Sequence, residues 1–349
     1  MGIYDLSLNP NLPWSEEFIE KYKDKWHWGE FGLSNNPNLP WSEEFVEKYK
    51  DKWSWKGLGG NKSLPWSINF IEKYENKWHF EDFGLSRNQG LPWSIDLIEK
   101  YEHKWDSTWL SSNRSLPWSI DLIEKFEHKW KWGSLSQNKN LPWSIYFLEK
   151  FDKKLNWGRA GLSLNPNLPW SEEFIEKYKD KWHWGEFGLS KNPKLPWSID
   201  FIEKYHEKWN WGEHGLSGNP NLPWSELFIE KYIDKWSWSR YGLSFNPNLP
   251  WSEEFVEKYK DKWDWSHLSL ENNPNLPWSE EFVEKYKDKW TWHGLSNNPN
   301  LPWSEEFIDR YKDKWSYKEL FNNRTFIQFI LSKLNDDVLE EVMIEITNQ

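Results

Sequence analysis

Apolar residues along this chain return in a fixed order. In the first clear unit they are Trp14, Phe18, Ile19, Tyr22 and Trp26, at i, i+4, i+5, i+8 and i+12. That spacing lines one face of an α-helix and lacks the alternation of a strand. It predicts a helix of about 12 residues. Pro13 fits a first helical turn, where its missing N–H costs nothing. Ser15 as an N-cap would instead start the helix two residues later. Glu16 and Glu17 near the start and Lys23 and Lys25 near the end suit the helix dipole.

The unit recurs. Leu-Pro-Trp-Ser occurs twelve times, its Trp running from Trp14 to Trp303 with spacings of 27, 25, 27, 25, 25, 27, 27, 27, 27, 27 and 25. Residues 6–34 and 162–190 are identical, a mark of block duplication. A fixed period of this size is the signature of a solenoid. A lone short helix is marginal in water, so its aromatic stripe needs neighbouring units to cover it. The Trp, Phe and Tyr rows are therefore expected to be core. In the shorter units, as in Trp130-Lys131-Trp132-Gly133-Ser134-Leu135-Ser136, Trp132 and Leu135 lie three apart. This favours a short second helix or 3₁₀ turn. The fold expected is an all-α repeat solenoid of twelve 25–27-residue units, each one helix plus a short helical turn.

In the 27-residue units, Trp28-x-x-Phe31-x-Leu33-x-x-Asn36 resembles the Leu-x-x-Leu-x-Leu-x-x-Asn core of leucine-rich repeats. In that family the segment is a short strand. The resemblance implies, as the alternative, a leucine-rich-repeat-like α/β solenoid. An Asn stands five residues before every motif Trp, from Asn9 to Asn298. Asn in turns usually satisfies backbone groups, so a structural ladder is expected. The repeat array is placed at residues 1–317. Tryptophan ends at Trp315, and residues 318–349 read as a C-terminal helical cap of two short helices around Phe326–Leu334 and Val338–Ile346. Self-association through these helices is the sharper alternative.

Composition narrows the function. The formal net charge is −11, which argues against nucleic acid as a partner. There are no cysteines, which removes disulfides and thiolate chemistry. No 18-residue apolar run predicts a membrane span. Residues 1–6 lack a basic segment followed by an apolar run, so no signal peptide is expected and the location expected is cytoplasmic. No Gly-rich phosphate loop, His-Glu-x-x-His or Gly-x-Ser-x-Gly occurs. His103 and His128 occupy equivalent positions without further ligands around them. No catalytic residue, no metal site and no cofactor are expected, and the chain is not read as an enzyme.

Departures from the repeat carry the remaining signal. The residue after the motif Ser is Glu in most units but Ile at Ile68, Ile95, Ile120, Ile145 and Ile199. The next residue changes as well, to Asp96, Asp121 and Tyr146. Ile68, Ile95, Asp96, Ile120, Asp121, Ile145 and Tyr146 are therefore the candidate binding residues, because contiguous apolar rows mark interaction sites. The opposing reading is that each Ile tucks into the next unit. Leu227 and Ile233 form a second, smaller departure. The function expected is a scaffold binding a protein or peptide partner. The alternatives are a carbohydrate or small-ligand lectin using open Trp faces and, against the charge, a nucleic-acid-binding helical array.

Overall fold

A computed structural model describes residues 6–10, 12–81, 84–266 and 269–331. The described residues fall into two compact regions, one ending at Asn156 and one beginning at Trp157. Both are helix-rich, with regularly spaced helices and no strand among the described residues. This architecture is compatible with an all-α repeat solenoid. The leucine-rich-repeat-like alternative is not supported, for a visible reason: of its three apolar positions Leu33 is fully buried while Phe31 points outward, 66% exposed.

Each motif is followed by a helix, such as Glu16–Lys21, Glu43–Lys48 and Ile68–Lys73. These helices have six residues, about half the length the apolar spacing suggests. Both ends have a cause. Ser15 is the N-cap, its hydroxyl accepting from the Phe18 N–H at 3.1 Å, so Pro13 and Trp14 stay outside the helix. At the other end Trp26 folds back, and its indole N–H donates to the Ile19 carbonyl at 3.1 Å. That bond satisfies a carbonyl the short helix leaves open and stops propagation. Trp53, Trp78 and Trp105 do the same for Val46, Ile71 and Ile98.

The second half of the unit takes two forms, and unit length decides which. In short units it is a six-residue helix: Trp55–Gly60, Ser107–Ser112, Trp132–Gln137 and Trp292–Asn297. In long units the two extra residues make a loop, and a 3₁₀ turn remains, as at Leu33–Asn35 and Leu189–Lys191. The hydrogen bonds show the change. Leu58 N–H reaches Ser54 four residues back, whereas Leu33 N–H reaches His27 six residues back.

Neighbouring units are joined by three sets of contacts. The second Trp of one unit packs on the next: Trp28 lies 4.9 Å from Tyr49 and 4.7 Å from Trp53, ring centre to ring centre. Such pairs add roughly 0.5–1.5 kcal/mol beyond area burial. The buried Asn forms the expected ladder. Asn61 Nδ2 donates to the carbonyls of Ser34 and Asn36, and its Oδ1 accepts from the Ser63 N–H. Its carbonyl then accepts from the Trp66 indole at 2.9 Å. The ladder continues at Asn323, which donates to Ser296 and Asn298. A third set was not foreseen in the sequence: in most units the Ser of Leu-Ser accepts a backbone N–H twenty residues on, as Ser34 does from Ser54 at 2.9 Å and Ser190 from Asn210 at 2.9 Å.

The helix Arg324–Leu331 follows directly, with Phe326 5.1 Å from the motif residue Trp303. The second helix expected around Val338–Ile346 lies outside the described residues.

Candidate interaction surface

The motif Ser fixes where the candidate residues stand. Because it caps the helix, the next residue always opens the first turn, with its side chain on the outer side of the Phe and Ile that the helix buries. Ile68, Ile95, Ile120 and Ile145 therefore hold one register on the motif helices of four successive units in the first region. None is buried: Ile68 is 37%, Ile95 38% and Ile145 44% exposed, with Ile120 half-buried. Asp96, Asp121 and Tyr146 are exposed beside them, Tyr146 at 60%. Ile199 takes the same place in the second region, where Leu227 is also exposed and Ile233 half-buried.

The units that keep Glu show what Ile removes. Glu16 pairs with Lys48 (3.7 Å), Glu172 with Lys204 (3.2 Å), Glu226 with Lys258 (3.3 Å) and Glu280 with Arg310 (2.8 Å). In each case the cation comes from the next unit. Where Ile replaces Glu, the cation keeps only the carboxylate one helical turn on, as Lys125 does with Glu99 and Lys150 with Glu124, both 2.5 Å, a contact that Lys258 makes with Glu230 beside its pair to Glu226. The ladder of charges thus persists while the first turn becomes apolar. Surface pairs of this kind are each worth little, so the swap barely affects stability.

Two carboxylates one helical turn further on, Glu20 and Glu47, are held ionised. Hydrogen bonds from Lys23 and Tyr49 bring Glu20 down from 4.5 to about 2, and Lys50 with Tyr74 does the same for Glu47. A general acid needs the opposite shift. Tyr311 moves the other way, to about 12, because burial and the Glu284 carboxylate disfavour its anion. Among the described residues no group of three or more His, Asp or Glu is placed to hold a metal ion. His128 sits 3.0 Å from Glu102, an exposed pair. No helix among the described residues is long and apolar enough to cross a membrane.

Tryptophan was the other candidate surface. Each of the 33 is buried or half-buried. The half-buried second-Trp row is further covered by a Lys from the following unit: Lys52 lies 5.3 Å over Trp28, Lys77 5.0 Å over Trp55 and Lys208 4.9 Å over Trp184.

One feature of the second region escaped the sequence reading. Successive long loops meet there. Ala160 N–H donates to the Phe187 carbonyl (2.9 Å) and Phe187 N–H to the His214 carbonyl (3.1 Å). The Phe187 ring stacks on His214 at 4.6 Å, and the Arg159 guanidinium lies 5.0 Å from the centre of the same Phe187 ring. Ala160 and Phe187 adopt φ of 53° and 50°, a left-handed conformation that costs a residue with a Cβ roughly 1–2 kcal/mol. Beside this row Lys191 donates to the Gly218 carbonyl, and burial pushes its amine below the usual range. The signal in the sequence was the run of equal 27-residue spacings, which brings the same loop to the same height in each unit.

Compared with known proteins, the chain matches no family model, no curated protein and no solved structure.

Proposed function

We propose that this chain is a non-enzymatic scaffold, a twelve-unit all-α solenoid that binds a protein or peptide partner along its exposed helix starts. The observation that carries this reading is the apolar row Ile68, Ile95, Ile120 and Ile145 with Tyr146, on a face where other units place ion-paired Glu. A surface that gives up charge for exposed branched aliphatics, without gaining core, is what a binding face requires. The ionised, ion-paired carboxylates support the non-enzymatic part. The carbohydrate reading needs a row of open indole faces, and the half-buried, Lys-covered Trp row does not favour it.

The test is the triple substitution Ile95→Glu, Ile120→Glu and Ile145→Glu, which restores the majority residue. Each is a surface change expected to alter stability by no more than about 0.5 kcal/mol. A partner retained by the wild-type chain and lost by a variant with an unchanged thermal midpoint supports the reading. A strongly lowered midpoint would mean that the row is packing and the binding face lies elsewhere.

A further inference from the structure

The isoleucine units differ from the rest at a second position. Beside Ile95 and Ile120, in the two middle units of the row, stand the exposed Asp96 and Asp121. Asn69 and Tyr146 take that place at the two ends. Lys100 and Lys125 lie four residues further on, one helical turn from each aspartate. Both are turned to carboxylates of the preceding unit, Lys100 to Glu72 and Lys125 to Glu99. Among the described residues, Asp96 and Asp121 are therefore left without an ion-pair partner. The helix starts of these units combine an apolar row with open carboxylates at its centre.

Backbone chemistry restricts what can lie on such a row. The described residues contain no strand, so an extended peptide finds no edge for main-chain pairing. One amide at each helix start is already taken by its cap: Ser94, Ser119 and Ser144 accept from Leu97, Leu122 and Phe147, each at 3.1 Å. Recognition falls to side chains, and a helix, whose backbone bonds are closed within itself, loses least on leaving water. Packed helices stand about 8–10 Å apart, and a helix rises about 1.5 Å per residue, so one residue in about seven meets each unit.

We infer that the row Ile68, Ile95, Ile120 and Ile145 takes a basic amphipathic helix of a partner protein, which lies across the four units with one apolar residue against each isoleucine and flanking Lys or Arg facing Asp96 and Asp121. Apolar contact supplies the affinity, and the two open carboxylates fix register and orientation. Tyr146 closes one end with an exposed aromatic of the kind enriched in interfaces. The formal net charge of −11 steers encounter with the same class of partner. This assignment rests on the scaffold reading and names the chemistry of its partner.

The probe is a fluorescein-labelled peptide repeating Lys-Leu-Lys-Ala-Gln-Ala-Gln, long enough to cross the four units, followed by anisotropy with the purified full chain at low ionic strength. Saturable binding to the wild type is expected. The double variant Asp96→Lys and Asp121→Lys changes two exposed side chains; at an unchanged thermal midpoint it should weaken binding about tenfold or more. Asp96→Asn with Asp121→Asn, which only removes charge, should give a smaller loss in the same direction. Ile95→Ser with Ile120→Ser removes apolar contact without adding charge and should also weaken binding about tenfold or more. A scrambled peptide of the same composition should bind clearly more weakly. No binding to the folded wild type, undiminished binding to the Lys or Ser variant, or equal binding of the scrambled peptide overturns the inference. The last outcome would mean that an acidic surface merely collects a basic chain. Peptide failure alongside partner capture that depends on the isoleucines sinks the basic helix alone. Peptide binding indifferent to the Ser variant, with capture equally indifferent to the isoleucines, sinks the isoleucine face itself.

Discussion

The regions on either side of Asn156 share a core and differ in surface. Residues 6–34 and 162–190 are identical, and both regions bury the same Leu, Phe, Ile or Val and Trp rows behind the same Asn ladder. In the first region the spacings run 27, 25, 27, 25 and 25, so no two long units stand side by side, and a recess of about 240 Å³ opens beside Lys56. In the second, equal spacings place long loops side by side, and they bond to one another through Ala160, Phe187 and His214. Two residues more or fewer per unit leave the core untouched and rewrite the outside. Core contacts depend on the helix and its caps, which every unit has. Surface contacts depend on whether neighbouring loops reach the same height.

The comparison can be broken at the core first. Trp105→Ala in the first region and Trp209→Ala in the second each remove a buried indole and its bond to Ile98 or Ile202. Each should cost about 3–5 kcal/mol in chemical denaturation, and markedly unequal losses would refute a shared core. Next come Asn88→Ala and Asn219→Ala. Each leaves buried carbonyls without their donor, for about 1–3 kcal/mol, again equally in both regions. Gly218→Ala tests the second region alone. Its Cβ would meet Lys191 Nζ at 2.1 Å and the Tyr241 carbonyl at 2.6 Å, and the melt should report a loss of about 1–3 kcal/mol.

A smaller effect of opposite sign is expected from Ala160→Gly. It relieves the left-handed strain at φ 53° while adding unfolded-chain entropy, for a net gain of about 0.5–1 kcal/mol. Destabilisation would mean that the Ala160 side chain packs more than its backbone strains. The least effect is electrostatic. Glu20, Glu47 and Glu257 have folded-state values near 2, below the ordinary 4.5. Depressed carboxylates contribute stability that is present above the unfolded value and lost as pH falls through the folded one. Both regions should therefore weaken from about pH 4.5 toward pH 2, and Glu47→Gln and Glu257→Gln should each flatten that slope in a pH series of thermal melts. All three carboxylates are half-buried and open to solvent on one side, so salt should mute the effect.

Much of this was legible in the residues. The twelve motifs, the helical face, the cap at Ser15, the Asn ladder and a helical second half follow from spacing and turn chemistry, whereas its division into a helix in short units and a 3₁₀ turn in long ones came from the structure. The helix length did not, because Trp26 sits at a helical interval from Tyr22 yet ends the helix by turning its indole back to Ile19. Periodicity records which residues share a side and is silent about which of them bonds to a carbonyl. The resemblance to leucine-rich repeats failed at Phe31, whose spacing suits an inward strand residue and whose loop carries it outward.

By itself the sequence determined the unit, its apolar face and the alternation of 25 and 27, since these are local and repeat without reference to neighbours. Tertiary structure alone decided that Ile68, Ile95 and Ile145 stand exposed and that every Trp is at least half-buried. The physical reason is that exposure and charge balance belong to pairs of units. They are set by the register in which one rung meets the next, a relation no single unit contains.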